Sequence, residues 1–342
     1  MTETSPAVEA EEPIDAPAEP RVGLLVTLAL AWLAVILWSV AAIDGPAVTS
    51  VAIALPTAMA ASLLSGGAVG LGAVTTLARR QPATAGRAVP RLVVAVPAGL
   101  VVGALAATSV LLTWGVQQSR PGLAVAIGLA ALLGAVLAVL VPRTVAAAGL
   151  VAALGVFLTG FLINLFREQL MSLFGADGTA EARVNAFRWF APTTAALSAI
   201  VGGLLAYRRL RGLAPEARWP AYLTAGLAPG AMLLLAEVFT QVGGARLLTL
   251  AGSSEADSIA FAWAADSRIN HALVVLFLCP IVAMILFGRT LPARSDDDWA
   301  EEGPDTGRDT ASAGRPAPAV PKPAAGEPAE PEPAMPETTQ PS

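Results

Sequence analysis

The chain has 342 residues, 55% of them hydrophobic and 14% charged, with a mean hydropathy of +0.65 and a formal charge of −5. A composition this apolar excludes a soluble chain with evenly spread charge. A single Cys279 excludes an intrachain disulfide or a cysteine metal cluster, a single His271 excludes a histidine metal triad, and no cofactor or metal is expected.

Residues 1–20 carry six acids and no base, and residues 295–342 carry eleven acids against Arg308, Arg315 and Lys322. With almost no large apolar side chains, both are expected to be disordered cytoplasmic tails, and partner proteins recruited through them belong to the scaffold alternative below. The segment Asp296 to Glu302 around Trp299 is read as an acidic linker, or as a short docking motif. Between the tails, residues 21–294 hold eighteen Arg and nine acids, so the net charge averages a basic middle with two acidic ends. Arg outnumbers Lys twenty to one and Ala is abundant, a usage expected of a GC-rich bacterium; no nucleic-acid partner is expected.

In that middle the sequence predicts eight membrane-crossing helices, an all-α polytopic bundle, at 22–43, 51–78, 92–116, 123–141, 144–166, 190–207, 219–242 and 269–288. The first lacks a basic n-region and is too long for a signal-peptide core, so it reads as a retained span. With the N-terminus inside, twelve Arg fall in cytoplasmic segments and six in the longer outer ones, which predicts a multi-pass protein of the cell membrane with both termini cytoplasmic. Trp38, Trp114, Trp189 and Trp263 then fall near the outer interface, and Tyr207, Trp219 and Tyr222 near the inner one. Asp44-Gly45-Pro46 reads as the first outer turn.

An internal duplication is expected, with repeat one at 21–143 and repeat two at 144–294. At an offset of 136, Pro56-Thr57, Ser62 and Gly66-Gly67 match Pro192-Thr193, Ser198 and Gly202-Gly203; at 127, Arg91, Ala98-Gly99-Leu100 and Gly103-Ala104 match Arg218, Ala225-Gly226-Leu227 and Gly230-Ala231. Four spans per repeat keep both halves in one orientation. The recurring Gly99/Gly103 and Gly226/Gly230 pairs are expected to let spans three and seven pack closely, against each other or a neighbour.

The outer loops of the second half, 167–189 and 243–268, are longer, and Val184, Phe187 and Phe190, then Ile259 and Trp263, recur at helical spacing. They predict short helices lying in the outer interface. In span seven, Pro229-Gly230 is expected to break the helix beside a cavity. Two turns on stands Glu237, the only acid inside a span; its counterpart in repeat one is Val110. An ionisable group at that depth faces a partner or water. The expected substrate pathway therefore joins Glu237, Gln241, Pro229 and Gly230 with Asn164, Glu168, Arg268, Asn270 and His271; the plainer alternative is that Glu237 only pairs with Arg246 or Arg268.

The chain carries no Walker A, His-Glu-x-x-His, Gly-x-Ser-x-Gly or Rossmann fingerprint. The duplication, the mid-span Pro229-Gly230 and the one acid inside a span make a transporter or permease the expected function. Two alternatives stay open: a non-catalytic scaffold or accessory subunit acting through its tails, and an envelope-lipid enzyme using Glu237 or Asp266 as base. Oligomeric state is left open.

Overall fold

The computed structural model describes residues 22–42, 48–80, 88–113, 120–176, 178–252 and 255–290. Among these residues every regular element is a helix: α1 (Val22–Ala41), α2 (Val48–Arg80), α3 (Ala88–Thr113), α4 (Arg120–Leu140), α5 (Arg143–Leu165), α6 (Arg167–Leu173), α7 (Ala180–Leu213), α8 (Trp219–Gly243), α9 (Ala245–Ala251) and α10 (Glu255–Gly288). All but α6 and α9 are long and apolar enough to cross a membrane. The acidic tails, the Asp44 turn and the Asp296–Glu302 segment lie outside the described residues.

The surface of the bundle says what surrounds it. Leu105, Trp38 and Phe277 are 69%, 74% and 63% exposed, and they have many apolar neighbours in the same condition. Water does not tolerate so continuous an apolar exterior, whereas acyl chains solvate it.

Helix association in lipid rests on close packing, because burial away from hydrocarbon brings no hydrophobic gain. The most enclosed span is α2, with 83% of its apolar stretch buried against 28% for α10. It touches α1, α3, α4, α5, α8 and α9. Glycine makes its approach to α4 possible: a Cβ on Gly66 would overlap the Ala131 carbonyl oxygen, and one on Gly134 the Leu63 carbonyl oxygen. The Gly-x-x-x-Gly pairs work in the same way on the span that follows each in sequence. A Cβ on Gly103 would lie 2.7 Å from the Gly128 oxygen of α4, and one on Gly226 2.5 Å from Cα of Pro280 in α10. Spans three and seven thus use these glycines on α4 and α10, not on each other.

Buried hydroxyls find carbonyls. Ser65 donates across to Ala29 of α1 at 2.8 Å, while Ser62, Ser198 and Thr240 each donate to the carbonyl four residues back, at 2.8 Å. A buried polar group in lipid has no water to fall back on, so each of these bonds removes a desolvation penalty.

By contact the spans fall into two groups. In the first, α4 packs on α2 and α3, and α1 on α2; in the second, α10 packs on α7 and α8, and α5 on α7 and α8. The groups meet where α2 runs beside α5 and α8.

The long loops of the second half differ from the sequence expectation. Only 167–173 and 245–251 are separate short helices; residues 180–189 and 255–268 are the opening turns of α7 and α10. Each of these helices has 34 residues, about 51 Å of length against a hydrocarbon core of about 30 Å, so both overshoot the bilayer. The rings of Phe187 and Trp263 meet at 5.6 Å and hold the two extensions together, so the helical spacing of these apolar residues marks contact between protruding helices as well as an interface. Thr179 starts α7 by accepting the Ala182 N–H at 3.2 Å. Thr179→Ala is expected to cost about 1 kcal/mol, the usual worth of such a cap, seen as a lower Tm in detergent.

Candidate functional site

Glu237 lies on the side of α8 that meets α10 and is 6% exposed. Arg268, on α10, donates from Nε to its Oε2 at 2.9 Å and from Nη2 to its Oε1 at 3.3 Å. Gln241, one turn further along α8, donates from Nε2 to Oε1 at 2.8 Å. A two-pronged guanidinium–carboxylate contact is among the stronger polar interactions, and here it neutralises a charge whose burial alone would cost several kcal/mol. The arrangement follows from local sequence: residues four apart share a helix face, which stacks Gln241 over Glu237.

This ion pair forms part of the wall of a cavity of about 400 Å³. The wall draws on both groups of spans: Trp32 of α1 and Pro56, Thr57 and Ala60 of α2 on one side, and residues of α5, α8 and α10 on the other. Trp32 and Phe161 meet edge to face at 5.3 Å across that junction. Trp32 is 7% exposed, and among the described residues its indole N–H meets no acceptor.

Of the residues expected from sequence, Glu237, Arg268, His271 and Asn164 line this cavity, and Gln241 reaches it through the carboxylate. Asn270 lines a second cavity of about 850 Å³ between α7 and α10, which shares Ser267 and His271 with the first. Glu168 lies apart, in a smaller pocket with Arg167, Arg183 and Trp263.

Pro229 and Gly230 do not line the cavity. Helix α8 runs unbroken through them, and a Cβ on Gly230 would overlap Leu276 of α10. The Ala225 carbonyl, which loses its intrahelical donor to Pro229, faces Gly149 of α5, where a Cβ would be 3.4 Å away. Neighbouring protein covers the freed carbonyl, so no water-lined break is needed.

The sequence reading missed the aromatic wall of Trp32, Phe157 and Phe161, and Pro56-Thr57 as wall residues. One signal was legible: Trp32 falls at the middle of its span, away from the interfacial belts where the other span-associated Trp residues lie. Both Glu237 oxygens are engaged, Oε2 by Arg268 and Oε1 by Arg268 and Gln241. The site can enclose a small molecule and present donors to it. Comparison of the chain with protein families, curated proteins and solved structures gives no match in any of the three.

Proposed function

We propose that the protein is a membrane transporter or permease whose substrate chamber is the cavity beside Glu237 and Arg268. One observation carries this reading: the chamber is walled by both groups of spans, so any rocking of one group against the other opens or closes it. Its volume falls within the range of small-molecule sites, about 300–1,000 Å³.

Contact geometry supports the internal duplication that such a mechanism uses. Gly66 meets Ala131 and Gly202 meets Cys279; Gly67 meets Gly134 and Gly203 meets Val282; Gly99 meets Leu132 and Gly226 meets Pro280; Gly103 meets Gly128 and Gly230 meets Leu276. In each comparison one pair of contacts on α4 and α10 differs by 148 residues (279 − 131, 282 − 134, 280 − 132, 276 − 128), beside nearer contacts outside that register, such as Gly202 with Val156 and Gly99 with Ala135. Two helices aligned independently, at offsets of 136 and 127, thus converge on one register for a third. In that register Arg268 corresponds to Arg120, while Glu237 corresponds to Val110, fully buried. The acid belongs to one half only, and so does the chamber's ion pair. The arginine distribution supports cytoplasmic termini in the cell membrane and a chamber toward the outer side.

The test is a deletion strain complemented with three chains. Wild type is expected to restore the distribution of one solute between cell and medium. Glu237→Gln, present at wild-type abundance, is expected to restore less than about a tenth of that flux, the effect of losing one charged contact of about 1.4 kcal/mol or more. Deletion of residues 1–20 and 295–342 is expected to retain it. The opposite outcome, full rescue by Glu237→Gln and none without the tails, would replace the permease by a scaffold.

A further inference from the structure

We infer that the chamber selects an amphiphile with an anionic oxygen head group on an apolar or aromatic body; this assignment of substrate class rests on the permease reading. Thr57, Asn164, Ser267 and His271 on the wall can both donate and accept, so the wall's bias toward donors comes from its charged and indole groups, which leave donors free. The Glu237 carboxylate already accepts from Arg268 twice and from Gln241 once, so little acceptor capacity remains. Arg268 spends two of its five N–H donors on that carboxylate, and its side chain keeps 30% of its surface exposed. Trp32 is a donor only, buried, and without an acceptor among the described residues. Buried N–H groups find partners in folded proteins, so an orphaned one on a cavity wall points to an acceptor supplied by what enters.

The remainder of the wall sets the body of the ligand. Phe157, Phe161, Pro56 and Leu233 present rings and aliphatic surface, a lining that pairs with an apolar group and offers a hydrophilic polyol little. A cation finds the Glu237 carboxylate already neutralised by Arg268. An anionic head meets the free N–H groups of Arg268, Asn164 adds an amide to the same wall, and a small turn of the Trp32 ring brings its unpartnered N–H to the head.

Two sources offer this chemistry: a soluble aromatic or aliphatic acid, and the head of an anionic membrane lipid. The experiment uses the full chain in phosphatidylcholine nanodiscs and titrates three probes with one body, namely 3-phenylpropionate, 3-phenylpropanamide and 3-phenylpropylammonium. Calorimetry is expected to give the tightest Kd for the carboxylate and at least about tenfold weaker binding for the ammonium. Trp32→Phe is expected to weaken the carboxylate by about tenfold, the loss of one hydrogen bond to a charged group, with the exposed Trp219→Phe unchanged as control. Exchanging the bilayer for phosphatidylglycerol separates the sources: a weakened apparent affinity marks a lipid head, an unchanged one a soluble acid, and both uphold the class.

Equal or tighter binding of the ammonium, no effect of Trp32→Phe, or no binding of any probe would overturn the inference. Its failure is distinct from that of the permease reading. A cationic solute found by complementation removes the ligand class and leaves the permease, while the expected probe order with no solute moved removes the permease and leaves the chamber.

Discussion

Replacing Gly134 by leucine is expected to leave no folded protein in the membrane. Even the Cβ of alanine there would overlap the Leu63 carbonyl oxygen and approach the Gly67 backbone nitrogen at 3.0 Å, and neither is the end of a flexible side chain that can swing aside. Relief requires α2 and α4 to separate along their length, and α2 also carries the contacts to α5 and α8 that join the two groups of spans. Overpacking a core costs about 1–3 kcal/mol when side chains absorb it; a backbone clash in the most enclosed span exceeds that and takes a large share of the about 5–15 kcal/mol that holds a domain together. Gly23→Leu is the matched control, since nothing lies within 4 Å of a Cβ there and the position is exposed. Membrane abundance and size-exclusion profile in detergent read both variants. A Gly134→Leu protein as abundant and monodisperse as Gly23→Leu would remove the packing account of α2 and α4.

The eight spans were legible in sequence because the bilayer imposes one dominant rule, a long apolar run. That rule sees only hydrocarbon-depth residues, which is why the sixth span was read as 190–207 although α7 covers 180–213, and the eighth as 269–288 although α10 covers 255–288. The missing turns contain Glu181, Arg183, Arg188, Glu255 and Asp266, charges that end a hydropathy window without ending a helix. Proline misled in the opposite direction. Five long helices carry one inside, at Pro56, Pro97, Pro192, Pro229 and Pro280, and each continues through it. A neighbouring helix that covers the freed carbonyl, as Gly149 allows at Ala225, is tertiary information that no local pattern holds.

The polar half of the site was more legible than the apolar half. Glu237 stood out as a lone acid inside a span, and its nearest candidate partners included Arg268, the side chain that meets it. Aromatic wall residues carry no such mark, because Phe157 and Phe161 on α5 look like any lipid-facing side chain until the position of α1 is known. Trp32 is informative only through its depth. Proximity in the chain also gave false neighbours: Glu168 follows Asn164 by one turn in sequence, yet α5 ends at Leu165 and a new helix, α6, carries Glu168 to a different pocket.

The charge pair makes a prediction in which stability and transport come apart. Arg268→Gln leaves the Glu237 side chain, 8% exposed, with Gln241 as its remaining partner, and removing one member of a buried pair costs about 3–5 kcal/mol. Glu237→Gln leaves the guanidinium, which at 30% exposure reaches solvent, so its cost is expected to be smaller, about 1–2 kcal/mol after allowance for screening. Changing both residues removes the orphaned charge along with the attraction. The Glu237→Gln, Arg268→Gln chain is therefore expected to be more stable than Arg268→Gln alone, with a coupling energy of about 2 kcal/mol in a double-mutant cycle. Thermal unfolding in detergent measures the cycle, and strictly additive effects would show that the two side chains do not act as a unit. Under the proposed transport function, solute flux should not follow the stability back up, because the guanidinium donors on the cavity wall are lost with Arg268. A double variant that regained both would reduce the pair to a structural clasp between α8 and α10 and would move the search for a binding determinant to Trp32 and Asn164.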